Sequence, residues 1–127
     1  MLVIKEYNSD YFENFKEFLL EKGFAHIGSG HFRAGYRRKN IVIKVPENKF
    51  GFEDNILEAH AYKIYRNKPD KYGRVFAPAR LLTNACVMMP FITKIDESET
   101  NLPKWCLEID NVQCGYYKDK IVVYDSA

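Results

Sequence analysis

Long hydrophobic runs are missing from this chain: no stretch of its 127 residues approaches the roughly 20 apolar residues of a membrane-spanning helix. The start, Met-Leu-Val-Ile-Lys-Glu, lacks the basic segment and long apolar run of a secretory signal. Cysteine is scarce. Cys86, Cys106 and Cys114 are odd in number, unevenly spaced and without a CxxC pair, which points to reduced, mostly buried thiols in a cytoplasmic protein. Cys106 and Cys114 are close enough in sequence to share a metal, but no histidine or further cysteine stands near to complete a site. An excess of one charge is also lacking. A net charge of +2 does not point to nucleic acid, and the tight basic run Arg37-Arg38-Lys39, followed by Asn40, reads as a solvated hairpin turn.

What the chain does have is core-forming material. A hydrophobic fraction of 46% and an aromatic fraction of 15% predict one packed domain over residues 1–127. Residues 2–7 read as a short strand. Ser9 or Asp10 then caps a helix with Glu13 in its first turn and Gly23 as its stop. Phe12, Phe15, Phe18 and Leu19 give that helix one apolar face, which is core by its spacing. Three strands follow over residues 24–28, 32–37 and 41–45, the last two joined by the basic turn and the third ended by Pro46. A helix is expected over residues 52–65, with Ile56, Ala59, Tyr62 and Lys63 on one face. Leu81 and Leu82, a turn at Asn84, and residues 85–89 read as a fourth and fifth strand. Residues 94–101 form a polar, acidic loop. Residues 121–124 form a final strand after a turn at Lys118, Asp119 and Lys120. The expected fold is α+β: a five-stranded antiparallel sheet with one inserted helix, an N-terminal helix and a short C-terminal hairpin.

The chemistry-bearing stretch is Gly28-Ser-Gly-His-Phe-Arg-Ala-Gly-Tyr36, followed by the strand Ile41-Val-Ile-Lys44. Glycines at a turn let backbone N–H groups approach phosphate oxygens without a Cβ in the way, and a lysine at the next strand adds a point charge. In this order the chain resembles the N-terminal lobe of protein kinases, and its motifs most resemble the Gly-x-Gly-His-Phe-x-x-x-Tyr loop of small bacteriophage serine/threonine kinases. The resemblance covers residues 24–127.

The resemblance implies ATP as cofactor with Mg²⁺. Gly28, Ser29, Gly30 and His31 would cover the phosphates, Lys44 would hold them, and Glu58 on the following helix would fix Lys44. Cys86-Val-Met-Met-Pro-Phe91 resembles the strand leading to an adenine hinge. Met88 would lie behind the base, and the Met89 carbonyl and Phe91 N–H would bond it; Pro90 has no N–H, but that position is not used in the family. Glu108-Ile-Asp-Asn-Val-Gln113 stands where the family carries its Asp-x-His-x-x-Asn catalytic loop. Glu108 would replace the general-base aspartate, with Asp110 as an alternative, and Gln113 would replace a metal-binding asparagine. Asp125 would be the second metal ligand. Both replacements lengthen a side chain by one methylene, where a misplacement of about 1 Å costs on the order of a hundredfold in rate.

The family also places two helices between the positions of Phe91 and Glu108, where this chain has 16 residues, and a large helical platform after Asp125, where it has two. The expectation is therefore a degenerate, pseudokinase-like phage protein that acts in the host cytoplasm mainly by binding a host protein, with ATP binding retained or lost. The alternative is a minimal active kinase that phosphorylates itself or a host protein. A small antiparallel domain with no nucleotide role stands behind both. No membrane or nucleic-acid partner is expected, and a homodimer is left open. His26 and His31 are loop or strand histidines for which solvation is the plain reading. His60 lies on a different helix face from Glu58, and Trp105 reads as core or partner surface.

Overall fold

The structure is a computed structural model that describes residues 4–66, 68–96, 98–99, 101–109 and 113–124. It is α+β. Helix α1 (Ser9–Glu21) precedes strands β1 (Ala25–Ser29), β2 (Arg33–Arg38) and β3 (Ile41–Pro46); helix α2 (Lys49–Tyr65) then leads to β4 (Arg80–Leu81) and β5 (Val87–Pro90). These five strands form one antiparallel sheet in the order β1-β2-β3-β5-β4. A one-turn helix α3 (Lys104–Leu107) and a hairpin of β6 (Cys114–Tyr117) and β7 (Lys120–Val123) complete the described elements. No helix among the described residues is long and apolar enough to cross a membrane.

Side-chain alternation divides the sheet's two faces. Ala34 and Tyr36 of β2 and Ile43 and Val45 of β3 pack with Phe12 and Leu19 of α1 and with Phe52 of α2. Removing side chains such as Phe12 and Leu19 from water stabilises the fold by about 1.5–3 kcal/mol each. The opposite face presents Val42 and Met89, which pack with Ala77, Ile92 and Val122. A third cluster sets Phe76, Ile95, Cys106, Cys114 and Val123 against Ala61 and Tyr65 of α2 and Trp105 of α3. The hairpin therefore closes over the sheet face that carries Val42, with Val122 turned to the sheet and Val123 turned away.

Several local expectations need correction. Asn8, not Ser9 or Asp10, caps α1: its Oδ1 accepts from Tyr11 N–H at 3.0 Å. Residues 4–7 form no strand, and residues 2 and 3 lie outside the described residues. Phe18 is about half exposed, stacked on Phe15 and under the Lys22 ammonium, because the helix buries the Phe12–Leu19 side. Helix α2 begins at Lys49, where Asn48 Oδ1 accepts from the Phe50 and Gly51 N–H groups.

The inward face of α2 is Gly51, Phe52, Asn55 and Glu58; Ile56 and Lys63 are exposed. An apolar periodicity does not select that face, because half of it is polar and satisfied only by distant strands. Ala85 belongs to the turn before β5, at φ 63°, rather than to the strand. The last hairpin turns at Lys118 and Asp119, both with positive φ, so Lys120 already pairs with Tyr117. The polar stretch after residue 93 is anchored by a bridge between Lys94 and Gly115.

Candidate functional site

A cleft of about 550 Å³ lies between the β1–β2 turn and the sheet face that carries Val42 and Lys44. Its upper wall is the turn itself: Ile27, Gly28, Gly30, His31 and Phe32. The turn is tied down at both ends. Gly30 N–H donates to Arg33 O at 2.9 Å, Glu47 N–H to Phe32 O at 2.7 Å, and Asn48 Nδ2 to His31 O at 3.1 Å. The α2 N-terminus packs so closely under Phe32 that a Cβ at Gly51 would collide with the Phe32 carbonyl. A Cβ at Gly28 or Gly30 would meet nothing. Folding therefore demands glycine at position 51 and not at the two turn positions that face the cleft.

The floor is apolar. Val42, Met89 and Ile92 line it, together with Phe91, whose ring face carries the Arg37 guanidinium at 3.5 Å from the ring centroid. The far wall is Thr93, Lys94, Gln113 and Tyr124, contributed by the segment after β5 and by the last hairpin.

At the inner end stands a buried ionic cluster. Lys44 Nζ donates to Glu58 Oε1 at 2.8 Å and to the Tyr124 carbonyl at 2.8 Å. Arg33 Nη1 donates to the other carboxylate oxygen, Glu58 Oε2, at 2.7 Å. Asn55 accepts from Arg33 at 3.2 Å and donates to the carbonyls of Lys44 and Ala85 at 3.1 and 3.0 Å. Burial alone would push the Glu58 carboxyl up; the Lys44 and Arg33 cations outweigh it and hold the group below its ordinary value. Glu58 is thus a fixed anion that positions two cations, and not a proton acceptor. Among the described residues every buried side-chain nitrogen and oxygen has a hydrogen-bond partner.

The residues singled out from sequence separate into two groups. Gly28, Gly30, His31, Lys44, Met89, Phe91 and Gln113 line the cleft, with Glu58 behind Lys44. Ser29 does not line it: its hydroxyl lies 2.7 Å from His26 Nε2, on the outer strand. Met88 packs on the helix-covered face, since alternation along β5 gives the cleft to Met89. Phe91 lines the cleft, but its N–H donates to Asn40 O at 2.8 Å instead of facing a ligand. The β3–β5 pairing continues past Pro90 into the β2–β3 turn and consumes that donor. Glu108 is exposed at the end of α3, and the cleft is not lined by it; the helical turn at residues 104–107 directs it elsewhere. Asp110 and Asp125 lie outside the described residues.

Sequence reasoning missed Arg33, Asn55 and the Tyr124 carbonyl. A signal existed for Asn55, which shares a helix face with Glu58 at i, i+3 and sits beside the apolar Phe52. Arg33 carried none. In an alternating strand it reads as the outward partner of Ala34.

The arrangement suits an anionic, ring-bearing ligand: a turn with glycine positions open to it, cations at one end and an apolar floor. These features fit ATP. For Mg²⁺, Gln113 is at the wall, and among the described residues no group of three His, Cys, Asp or Glu side chains is placed to hold a metal. Asp54 is the one carboxylate among the described lining residues. Comparison of the chain with protein-family models, with curated proteins and with solved structures finds no match.

Proposed function

We propose that this protein binds a nucleoside triphosphate in a kinase-like cradle and acts mainly through a partner protein rather than by phosphoryl transfer. The observation that carries the reading is the Lys44–Glu58 ion pair beneath the glycine turn, inside a cleft of about 550 Å³. That volume falls within the range of ligand sites, about 300–1,000 Å³. Strand order β1-β2-β3-β5-β4 with one helix between β3 and β4 supports the likeness to a kinase N-terminal lobe. The exposed position of Glu108 supports a non-catalytic role, since a base must reach the hydroxyl it deprotonates. A host protein as the partner follows from the resemblance to phage kinases, as does a cytoplasmic setting.

Thermal unfolding with and without millimolar MgATP tests the nucleotide reading. Ligand at about 100 times its Kd stabilises the native state by about 2.7 kcal/mol, which is read as a higher midpoint. The expected result is a shift in the wild type that is lost in Lys44→Ala. No shift in the wild type sinks the reading.

A second reading, a minimal active kinase, is favoured by Gln113 and Tyr124 both lining the cleft, which brings the chain to the site just before Asp125. Transfer of labelled phosphate from ATP to the protein or to an added protein, abolished by Lys44→Ala, would establish it over the first.

A further inference from the structure

Helix α2 is apolar on two sides. Its inner side carries Phe52 beside Asn55 and Glu58, all buried. Its outer side carries Phe50, Leu57 and Ile64, which are 52%, 60% and 59% exposed. A helix with large apolar residues all round is normally covered all round. The outer row also runs beyond the helix. Phe32 extends it at one end, its ring centroid 5.7 Å from that of Phe50, and Tyr72 lines a groove with Leu57 and Ile64 at the other. Single exposed apolar side chains are ordinary, whereas a contiguous row marks a contact surface.

The row is symmetric about the middle of the helix. Helix α2 has 17 residues, so Leu57 is its central one, with Phe50 seven before and Ile64 seven after. At about 1.5 Å per residue the three span about 21 Å. A recurrence of seven keeps one stripe of a helix against a second helix. A two-fold axis through Leu57, perpendicular to the helix, lays α2 antiparallel on a second copy of itself. Leu57 then meets the partner's Leu57, and Phe50 meets the partner's Ile64 at both ends. That is the self-complementary pattern of a two-fold interface.

Polar complementarity follows the same axis. Glu53 and His60 each stand three residues after one member of the row and four before the next, so both lie on one flank of it. Both are exposed, and among the described residues neither side chain has an ion pair or hydrogen bond within the chain. In the antiparallel pair Glu53 falls within one residue's rise, about 1.5 Å along the axis, of the partner's His60, and the symmetry makes this contact twice. An imidazole N–H donates to a carboxylate whether or not the ring is charged. A parallel pair would instead set the two Glu53 carboxylates side by side. Lys49 and the partner's Lys63 approach at the ends of the antiparallel row, where both are exposed and solvent screens them.

We infer that the outer face of α2 is a homodimer surface, paired antiparallel about Leu57. This face lies on the side of the helix away from the buried Glu58, so pairing needs no nucleotide. One helix face is smaller than a standard interface, so the dimer is a weak one that forms and dissociates with concentration.

Sedimentation equilibrium of the whole chain between about 5 and 300 µM tests this. The expected result is an average mass that rises from one chain toward two. Leu57→Glu, which sets two carboxylates on the axis, keeps the chain monomeric throughout, while its unfolding midpoint at the lowest concentration matches the wild type. Glu53→Lys weakens association at least about tenfold, and adding His60→Glu restores it to within about threefold, because the exchanged charges meet again across the axis. A wild type that stays monomeric overturns the inference, whatever else the face binds. So does a dimer that survives Leu57→Glu, or a double variant no tighter than Glu53→Lys.

Leu57→Cys tests the axis without adding charge. Only a residue on a two-fold axis meets its own copy, so mild oxidation should link this variant into a covalent dimer. Leu20→Cys on α1, also about half exposed in the wild type, should stay unlinked. The native cysteines are buried and do not compete. Equal linking at positions 20 and 57, or none at 57, overturns the two-fold through Leu57.

Discussion

Lys44 Nζ and Glu58 Oε1 lie 2.8 Å apart, joining β3 to the middle of α2 across 14 positions of sequence. The same carboxylate holds Arg33 through its other oxygen, so one anion ties together the strand after the glycine turn, the lysine strand and the helix. All three side chains are largely buried. Such a cluster positions groups more than it adds net stability, because desolvation offsets much of the attraction.

Removing the anion exposes that balance. Glu58→Gln leaves two cations buried beside a neutral amide, and a loss of about 3–5 kcal/mol is expected in chemical denaturation. The pH dependence carries the same signature. Glu58 has a folded value below its ordinary 4.5, so its contribution is fully present above pH 4.5 and disappears as the pH falls through the lower folded value. Wild-type stability should fall more steeply below pH 4.5 than that of Glu58→Gln. Parallel pH profiles for the two proteins would refute the assignment.

Glycine positions separate folding from binding. Gly51→Ala and Gly115→Ala place a methyl group against the carbonyls of Phe32 and Thr93, and each should destabilise by about 1–3 kcal/mol. Gly28→Ala and Gly30→Ala meet open space and should leave the unfolding midpoint almost unchanged while weakening nucleotide binding. Thermal midpoints measured with and without MgATP across the four variants check both halves.

Asn55 is fully buried, and its amide donates to the carbonyls of Lys44 and Ala85. Asn55→Asp keeps the shape but cannot donate, and sets an oxygen against each carbonyl. Each group left unsatisfied costs about 1–3 kcal/mol, so this nearly isosteric change should be among the more damaging single substitutions. Denaturation with urea measures it; a loss comparable to an exposed Asn-to-Asp change would contradict the network.

The cysteines should be silent in the native state. Cys86, Cys106 and Cys114 are buried free thiols. Burial, reinforced by the neighbouring Cys106 thiol, pushes Cys114 up to about 12, and burial alone raises Cys86 further. Because the thiolate is the reactive form, a thiol reagent at about pH 8 should label none of the three until the protein is unfolded. Rapid labelling of the native chain would show that one of them opens to solvent.

Much of the scaffold was legible from local pattern. The β2–β3 hairpin was marked by the basic turn and Asn40, the second helix was legible although it starts at Lys49 rather than residue 52, and the two-residue periodicity of residues 41–45 placed Lys44 on the face opposite Ile43 and Val45. Glu58 could be matched to Lys44 only through the resemblance to the kinase lobe, which implies a lysine-pairing glutamate on the following helix. The orientation of α2 was not legible, since its buried side is chosen by hydrogen bonds to Arg33, Lys44 and Ala85 rather than by apolar spacing. Nor was the position of Glu108, because a four-residue helix carries too little periodicity to announce itself.

By itself the sequence determined the glycine turn, the lysine strand and the order of elements from the first helix to β5, all consequences of backbone preferences acting over a few residues. Tertiary structure alone decided what that turn and lysine do. The Lys44 ammonium reaches the Tyr124 carbonyl across 80 positions of sequence, Arg33 shares the Glu58 carboxylate, and the Phe91 N–H is spent on Asn40. Each of these depends on strand register and on which faces pack together, and no short-range pattern encodes a partner that only the folded chain brings within 3 Å.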